Sequence, residues 1–143
     1  MDPTILLVED DEGHRVLIGR ALQGAGIEHD IVELDDGQRA LDFLFGEESR
    51  LCSPLVVLLD LNLPRRSGFE VLEVLKSDRR TRRIPVVIFT TTDNPREMER
   101  CYDLGCNAYV TKPIEFERFG EAIRSIGQFL SIITIPTESP VCN

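Results

Sequence analysis

The sequence predicts an α/β domain: a doubly wound (βα)5 sandwich with a five-stranded parallel sheet and helices on both faces. Three observations carry this. Short apolar runs recur along the chain, the clearest being Leu55-Val56-Val57-Leu58-Leu59 between Pro54 and Pro64, and such a run reads as a parallel strand buried on both faces. Segments with apolar residues at helical spacing separate the runs, so strand and helix alternate five times, the order that builds a parallel sheet with right-handed crossovers. The runs also end directly in polar or charged residues, and Asp60 follows Leu59 without a spacer. Ligands of open α/β sheets bind at the carboxyl edge of the strands, so an acid there is a candidate functional group.

The first strand is Thr4–Val8, and three acids follow it: Glu9, Asp10 and Asp11. Leu17, Ile18, Ala21, Leu22 and Ala25 keep helical spacing, with Asp11 as the cap at one end and Gly26 as the left-handed stop at the other. Residues 27–34 alternate polar and apolar and read as a shorter strand near the sheet edge. Asp35-Asp36-Gly37 then turns into a helix carrying Ala40, Leu41, Leu44 and Phe45. Residues 46–53 read as a loop. After the third strand, Ser67 and Glu70 fit a capping box, and Val71, Leu72 and Leu75 face inward on the helix that follows. Arg79, Arg80, Arg82 and Arg83 form a basic cluster that reads as a solvated connection. Residues 85–89 form the fourth strand, ending in Thr90, Thr91 and Thr92. Asn94 caps the next helix, with Pro95 at its first position and Glu97 three residues after the cap. Residues 108–110 form a short fifth strand ending at Thr111, Lys112 and Pro113, and the last helix begins near Glu115.

That last helix carries more apolar surface than one buried face needs. Phe116, Phe119, Ile123, Ile126, Leu130 and Ile133 form one stripe for the sheet, and Ala122, Phe129, Ile132 and Ile135 lie beside it. The surplus reads either as a wider core face or as a partner surface.

Composition narrows the function classes. A chain of 143 residues with 42% hydrophobic content supports one domain with a proper core. We expect a single domain over 1–133, a tail over 134–143 and no separate effector domain. A net charge of −9, from 16 basic against 25 acidic residues, argues against direct nucleic-acid binding, which needs clustered Lys and Arg. No stretch has the length of a membrane span and the N-terminus lacks the pattern of a signal peptide, so the expectation is a cytoplasmic protein with no membrane association. Cys52, Cys101, Cys106 and Cys142 lack C-x-x-C spacing and read as reduced thiols rather than zinc ligands. His14 and His29 read as plain surface residues.

In a parallel sheet all carboxyl ends share one edge, which brings together Glu9 and Asp10, Asp60, Thr90 and Lys112. Carboxylates this close repel one another, and a divalent cation removes that penalty. Oxygen-only ligands suit Mg2+ or Mn2+, with positions left for phosphate oxygens. A hydroxyl from Thr90 and an ammonium from Lys112 suit the remaining oxygens of a phosphoryl group. The set describes a carboxylate nucleophile, Asp60, that accepts phosphate with metal help.

These motifs, over residues 4–126, resemble the response-regulator receiver domain of two-component signalling, whose fold is flavodoxin-like. The matching residues are Glu9 and Asp10, the L-L-D-L-N-L-P segment around Asp60, Thr90, and Lys112-Pro113. The resemblance implies that Asp60 is phosphorylated by a sensor histidine kinase, and that Glu9 and Asp10 bind Mg2+ together with Asp60 and the backbone carbonyl of Asn62. It implies that Lys112 contacts the phosphoryl group through a cis Lys112–Pro113 bond, and that Thr90 and Tyr109 form the switch pair. Asn62 and Thr92 hold the family's variable positions that tune the lifetime of the aspartyl phosphate. Many members have Asp where this chain has Glu9, which leaves open whether its metal contact is direct or through water. The family commonly associates through the fourth helix, fifth strand and fifth helix. The expected partner face is Phe119, Ala122, Ile126, Phe129 and Ile133, used in a homodimer. The stretch before the Asp60 strand and the FLSIITIP tail resemble stand-alone regulators paired with bacterial phytochrome kinases.

Other readings compete. A haloacid dehalogenase-type phosphatase also uses an aspartyl phosphate, but there the nucleophile lies on the first motif and a second Asp moves the proton, a task Asn62 cannot perform. A nucleotide or flavin module suits the architecture, but no G-x-G-x-x-G or G-x-x-x-x-G-K-[ST] follows the first strand. A receiver acting only as a phosphate sink is chemically the same as a signalling one, so the residues do not separate the two.

Overall fold

The computed structural model describes residues 4–27, 29–46, 55–133 and 135. The expected loop over 46–53, except Gly46, and the expected tail over 134–143, except Ile135, lie outside the described residues, as do Cys52 and Cys142.

Five strands, β1 (Thr4–Val8), β2 (Asp30–Leu34), β3 (Leu55–Leu59), β4 (Val86–Thr90) and β5 (Ala108–Thr111), alternate with five helices, α1 (Glu12–Gly24), α2 (Gly37–Phe45), α3 (Gly68–Ser77), α4 (Pro95–Leu104) and α5 (Phe116–Ile132). All strand pairs are parallel and the order is β2-β1-β3-β4-β5. Every residue of β1, β3 and β4 is buried, whereas β2 and β5 at the two edges are partly exposed.

Alternation along the strands divides the core in two, because successive side chains point to opposite faces. Leu6, Val8, Val57, Leu59, Val86 and Ile88 pack with Ala40, Leu44, Val71, Leu72 and Leu75 of α2 and α3. Ile5, Leu7, Val56, Leu58, Val87 and Phe89 pack with Ile18 and Leu22 of α1 and Phe119, Ile123, Ile126 and Leu130 of α5. Burying one Leu or Ile side chain stabilises by roughly 1.5–3 kcal/mol, so both layers contribute heavily to stability.

Element boundaries shift for identifiable reasons. The second strand begins at Asp30 rather than at 27, because Gly26, with φ 81°, turns the chain and Ile27 N–H donates to Leu22 O at 3.2 Å, closing α1. The fourth begins at Val86: Pro85 has no N–H to give the ladder, and Asn107 Oδ1 takes the Val86 N–H at 2.8 Å. The fifth strand extends to Thr111, opposite Thr90. Asp11, Ser67 and Asn94 cap α1, α3 and α4 as expected, and Ser67 and Glu70 complete the capping box. Glu115 precedes α5 without a side-chain capping bond. Phe116, expected in the sheet-facing stripe, is 71% exposed. At the first position of α5 it lines a groove with Leu17 of α1 instead of reaching the sheet.

Gly68 sets the approach of α3 to the site. A Cβ there would lie 2.2 Å from the Asp60 carbonyl oxygen and 2.6 Å from Leu61 Cα, so only glycine lets the helix start against the strand end. Cys101 and Cys106 are buried free thiols, and burial pushes the Cys101 thiol up to about 12. Among the described residues no helix is long and apolar enough to cross a membrane.

Candidate functional site

The parallel ladders bring the strand ends together at one edge. Asp60 N–H donates to Val8 O at 3.0 Å and Glu9 N–H to Leu34 O at 3.0 Å, so both acids are held by the backbone of neighbouring strands before their side chains make any contact. Glu9 is 1%, Asp60 6%, Lys112 5% and Thr90 0% exposed. Ionisable groups buried this deeply need partners.

Lys112 supplies one. Its ammonium donates to Asp60 Oδ2 at 2.9 Å and to Glu9 Oε1, and the Phe89 ring lies beneath it, 5.8 Å from Nζ to centroid. Asp60 Oδ1 accepts the Asn62 backbone N–H at 3.3 Å and Glu9 Oε2 the Asp11 N–H at 3.2 Å. Burial opposes ionisation of Asp60, but the Lys112 ammonium outweighs it and holds this carboxyl below the usual range. Burial wins at Glu9, helped by the neighbouring Asp60 charge, and pushes its carboxyl up to about 7 despite Lys112.

A pH dependence follows for protein stripped of divalent cations. A carboxyl whose folded-state value is raised binds its proton more tightly folded than unfolded. Its contribution to stability is complete below the ordinary carboxylate range and is lost as pH rises through about 7. Asp60 and the other carboxyls held low, those of Asp11, Asp36 and Asp78, are already ionised in that window. The melting temperature of chelated protein should therefore fall between about pH 5 and about pH 8, and the slope should flatten in Glu9→Gln. A rise over that window would contradict this account of Glu9.

Carboxylate oxygens of Glu9, Asp10 and Asp60 all lie within 4.8 Å of one another, with Asp10 exposed to solvent. Three carboxylates with no sulfur or nitrogen donor fit a hard divalent cation. Arg15 Nη1 steadies this acidic turn by donating to the carbonyls of Glu9 at 2.8 Å and Asp10 at 3.1 Å. Thr90 Oγ1 is buried and makes no hydrogen bond of normal length, although it lies near enough to Asp60 to help hold that carboxyl low. A hydroxyl left unmatched in a dry site carries an energetic cost, and a phosphoryl oxygen would relieve it.

Tyr109 is half-buried, and its hydroxyl donates to Thr92 O at 2.7 Å. Burial pushes its phenol up to about 12. The Thr92 hydroxyl donates to the Glu97 carboxylate, and the Asn62 side chain is exposed beside Asp60.

Three expectations are corrected. The Lys112–Pro113 bond is trans. The two isomers of an X–Pro bond differ by only about 0.5–1 kcal/mol, so the surroundings decide between them, and Lys112 reaches Asp60 with the bond trans. His14 is not a plain surface residue: it lies 3.1 Å from Lys112 Nζ and its ring packs against Phe119, tilted by 36° with centroids 5.1 Å apart. Of the five residues expected on the partner face, Phe119 and Ile126 are buried in the core, Ala122 and Ile133 pack partly against it, and Phe129 is exposed. The sheet-facing side of α5 is wider than a single stripe. His14, Arg15 and the Arg65–Asp36 ion pair, at 2.8 Å, were missed.

The response regulator receiver domain family matches residues 5–124 of this chain. The chain belongs to that family. This receiver domain is 37% identical over 135 residues to the response regulator Rcp1 of Synechocystis sp., covering 92% of each chain. Among solved structures, the Mn2+-bound form of Rcp1 is 35% identical with a TM-score of 0.86, covering 93% of this chain and 98% of that one. The phosphorylated cyanobacterial phytochrome response regulator RcpA is 37% identical with a TM-score of 0.87, covering 95% and 99%. A receiver domain from Rhodospirillum rubrum is 46% identical with a TM-score of 0.90, covering 94% and 98%. Receiver domains are signalling proteins that take a phosphoryl group from a histidine kinase and use a divalent metal. The phosphatase alternative is not favoured.

Proposed function

We propose that Asp60 is the phosphoacceptor of this receiver domain and that phosphorylation changes the α4-β5-α5 surface. The observation that carries the reading is the pairing of a buried, ionised Asp60 with the Lys112 ammonium on one side and a Thr90 hydroxyl without a hydrogen bond of normal length at the same edge. In the transfer, an Asp60 carboxylate oxygen forms a bond to phosphorus as the phosphorus–nitrogen bond of the kinase phosphohistidine breaks, and the imidazole leaves with its electron pair. Lys112 balances charge on the phosphoryl oxygens and Thr90 donates a hydrogen bond to one of them. Glu9, Asp10 and Asp60, with the Asn62 carbonyl, would hold a divalent cation, assigned as Mg2+ with Mn2+ as a substitute, which would supply further neutralisation of phosphoryl charge.

As the Thr90 hydroxyl turns to the phosphoryl group, the Tyr109 ring, tied to Thr92 O in this structure, is free to repack. That pair links the site to α4, β5 and α5. An apolar groove there has Ala108, Val110, Ala122 and the exposed Phe129 at its surface over the buried Val87 and Ile126, which supports a homodimer contact. Likeness to RcpA supports a bacterial phytochrome as the kinase. The net charge of −9 supports a protein rather than a nucleic-acid partner. The same chemistry serves a phosphate sink, which would lack the dimer response.

Incubation with acetyl phosphate and Mg2+ should add one phosphoryl group by intact mass, and a chelator should prevent it. No addition with Mg2+ present would overturn the reading. Decay of the label after donor removal should change on substitution of Asn62 or Thr92. Sedimentation should show phosphorylation favouring a dimer, and a monomer at high concentration in both states would remove that part.

A further inference from the structure

We propose that His14 is a positioning residue for phosphoryl transfer, holding the Lys112 ammonium toward Asp60 through its Nδ1 atom. The inference rests on Asp60 being the phosphoacceptor. Lys112 Nζ lies 3.1 Å from His14 Nδ1 and 2.9 Å from Asp60 Oδ2, and it also donates to Glu9 Oε1. An ammonium has three donors and no acceptor, so these partners use the full set. The contact to Lys112 requires Nδ1 to accept, which places the ring proton on Nε2, and Nδ1 also lies 3.7 Å from Glu9 Oε1.

The imidazole is itself held in place. It stands on the first turn of α1, where its backbone N–H donates to the Asp11 cap at 2.9 Å. Its ring packs on Phe119, which packs on Phe89 with centroids 5.4 Å apart, and Phe89 is the ring beneath Lys112. Of the three acceptors around Nζ, two change during the reaction. Glu9 is among the carboxylates that would hold the cation, and Asp60 supplies the oxygen that bonds to phosphorus. His14 takes part in neither event. It is the constant acceptor that keeps one N–H engaged and leaves the others aimed at the reacting oxygens, so Lys112 needs no reorientation in the transition state.

Two substitutions separate hydrogen bonding from packing. His14→Phe keeps a ring against Phe119 and removes the acceptor, whereas His14→Asn puts an amide oxygen near the place of Nδ1 and removes the ring. With acetyl phosphate at saturation and Mg2+, the Phe variant should label about tenfold more slowly while the Asn variant stays within about twofold of wild type, the scale of one hydrogen bond to a charged group. Melting curves check that both are folded, and should the Phe variant not fold, His14→Leu serves as the acceptor-free form. Wild-type rates in all variants, or equal slowing in acceptor-free and acceptor-bearing forms, would overturn the proposal. Asp60→Asn is run beside them: labelling of that variant would overturn the phosphoacceptor reading, whereas label confined to Asp60 with His14 variants at the wild-type rate would overturn only the role of His14.

Discussion

Asp60→Asn will accept no phosphoryl group from a small-molecule donor under conditions that label the wild type fully, as read by intact mass. The amide is close to isosteric but keeps a single oxygen, so it accepts from either the Asn62 N–H or Lys112, which in the wild type use Oδ1 at 3.3 Å and Oδ2 at 2.9 Å. The fold should therefore persist. What disappears is the anionic oxygen, since the amide lone pair is delocalised and forms no stable bond to phosphorus. One of the three carboxylates grouped within 4.8 Å is also lost, so divalent-cation affinity should fall as well. Equal labelling of the two proteins would remove Asp60 from its role.

Lys112→Ala should be the most damaging single change for both stability and chemistry. It leaves Glu9 and Asp60 facing each other at 1% and 6% exposure without their shared cation, and removing one partner of a buried pair costs about 3–5 kcal/mol. Mg2+ should recover much of that loss, so the rise in melting temperature on adding Mg2+ should be larger in the variant than in the wild type. Labelling should slow by roughly 100- to 1000-fold, the usual effect of removing a preorganised charge donor from a transition state. A variant as stable as wild type in chelator would show that the pair is not the structural element described here.

Much of this site was legible in the sequence because its members follow apolar strands directly. Asp60 after Leu59, Glu9 after Val8, Thr90 at the end of β4 and Lys112 after Thr111 need only parallel strands to meet. His14 was not legible, because a polar residue on a first helical turn has the same local pattern whether it faces water or a neighbouring loop. The breadth of the core face on α5 was equally hidden. Spacing locates the stripe of Phe119, Ile123, Ile126 and Leu130, but how far burial spreads depends on how α5 lies against α1 and the sheet.

The sequence by itself determined the order of strands and helices, their caps at Asp11, Ser67 and Asn94, and the kinds of groups at the carboxyl edge. Periodicity, capping and turn chemistry act over a few residues, so they can be read locally. Only the tertiary structure decided which groups touch: that the Lys112 ammonium joins Glu9, 103 residues away in the chain, to Asp60 and His14, that Thr90 Oγ1 makes no hydrogen bond of normal length, and that Lys112–Pro113 is trans. Such contacts follow from packing between distant segments, where differences of an ångström or of about 1 kcal/mol choose between arrangements that are locally equivalent.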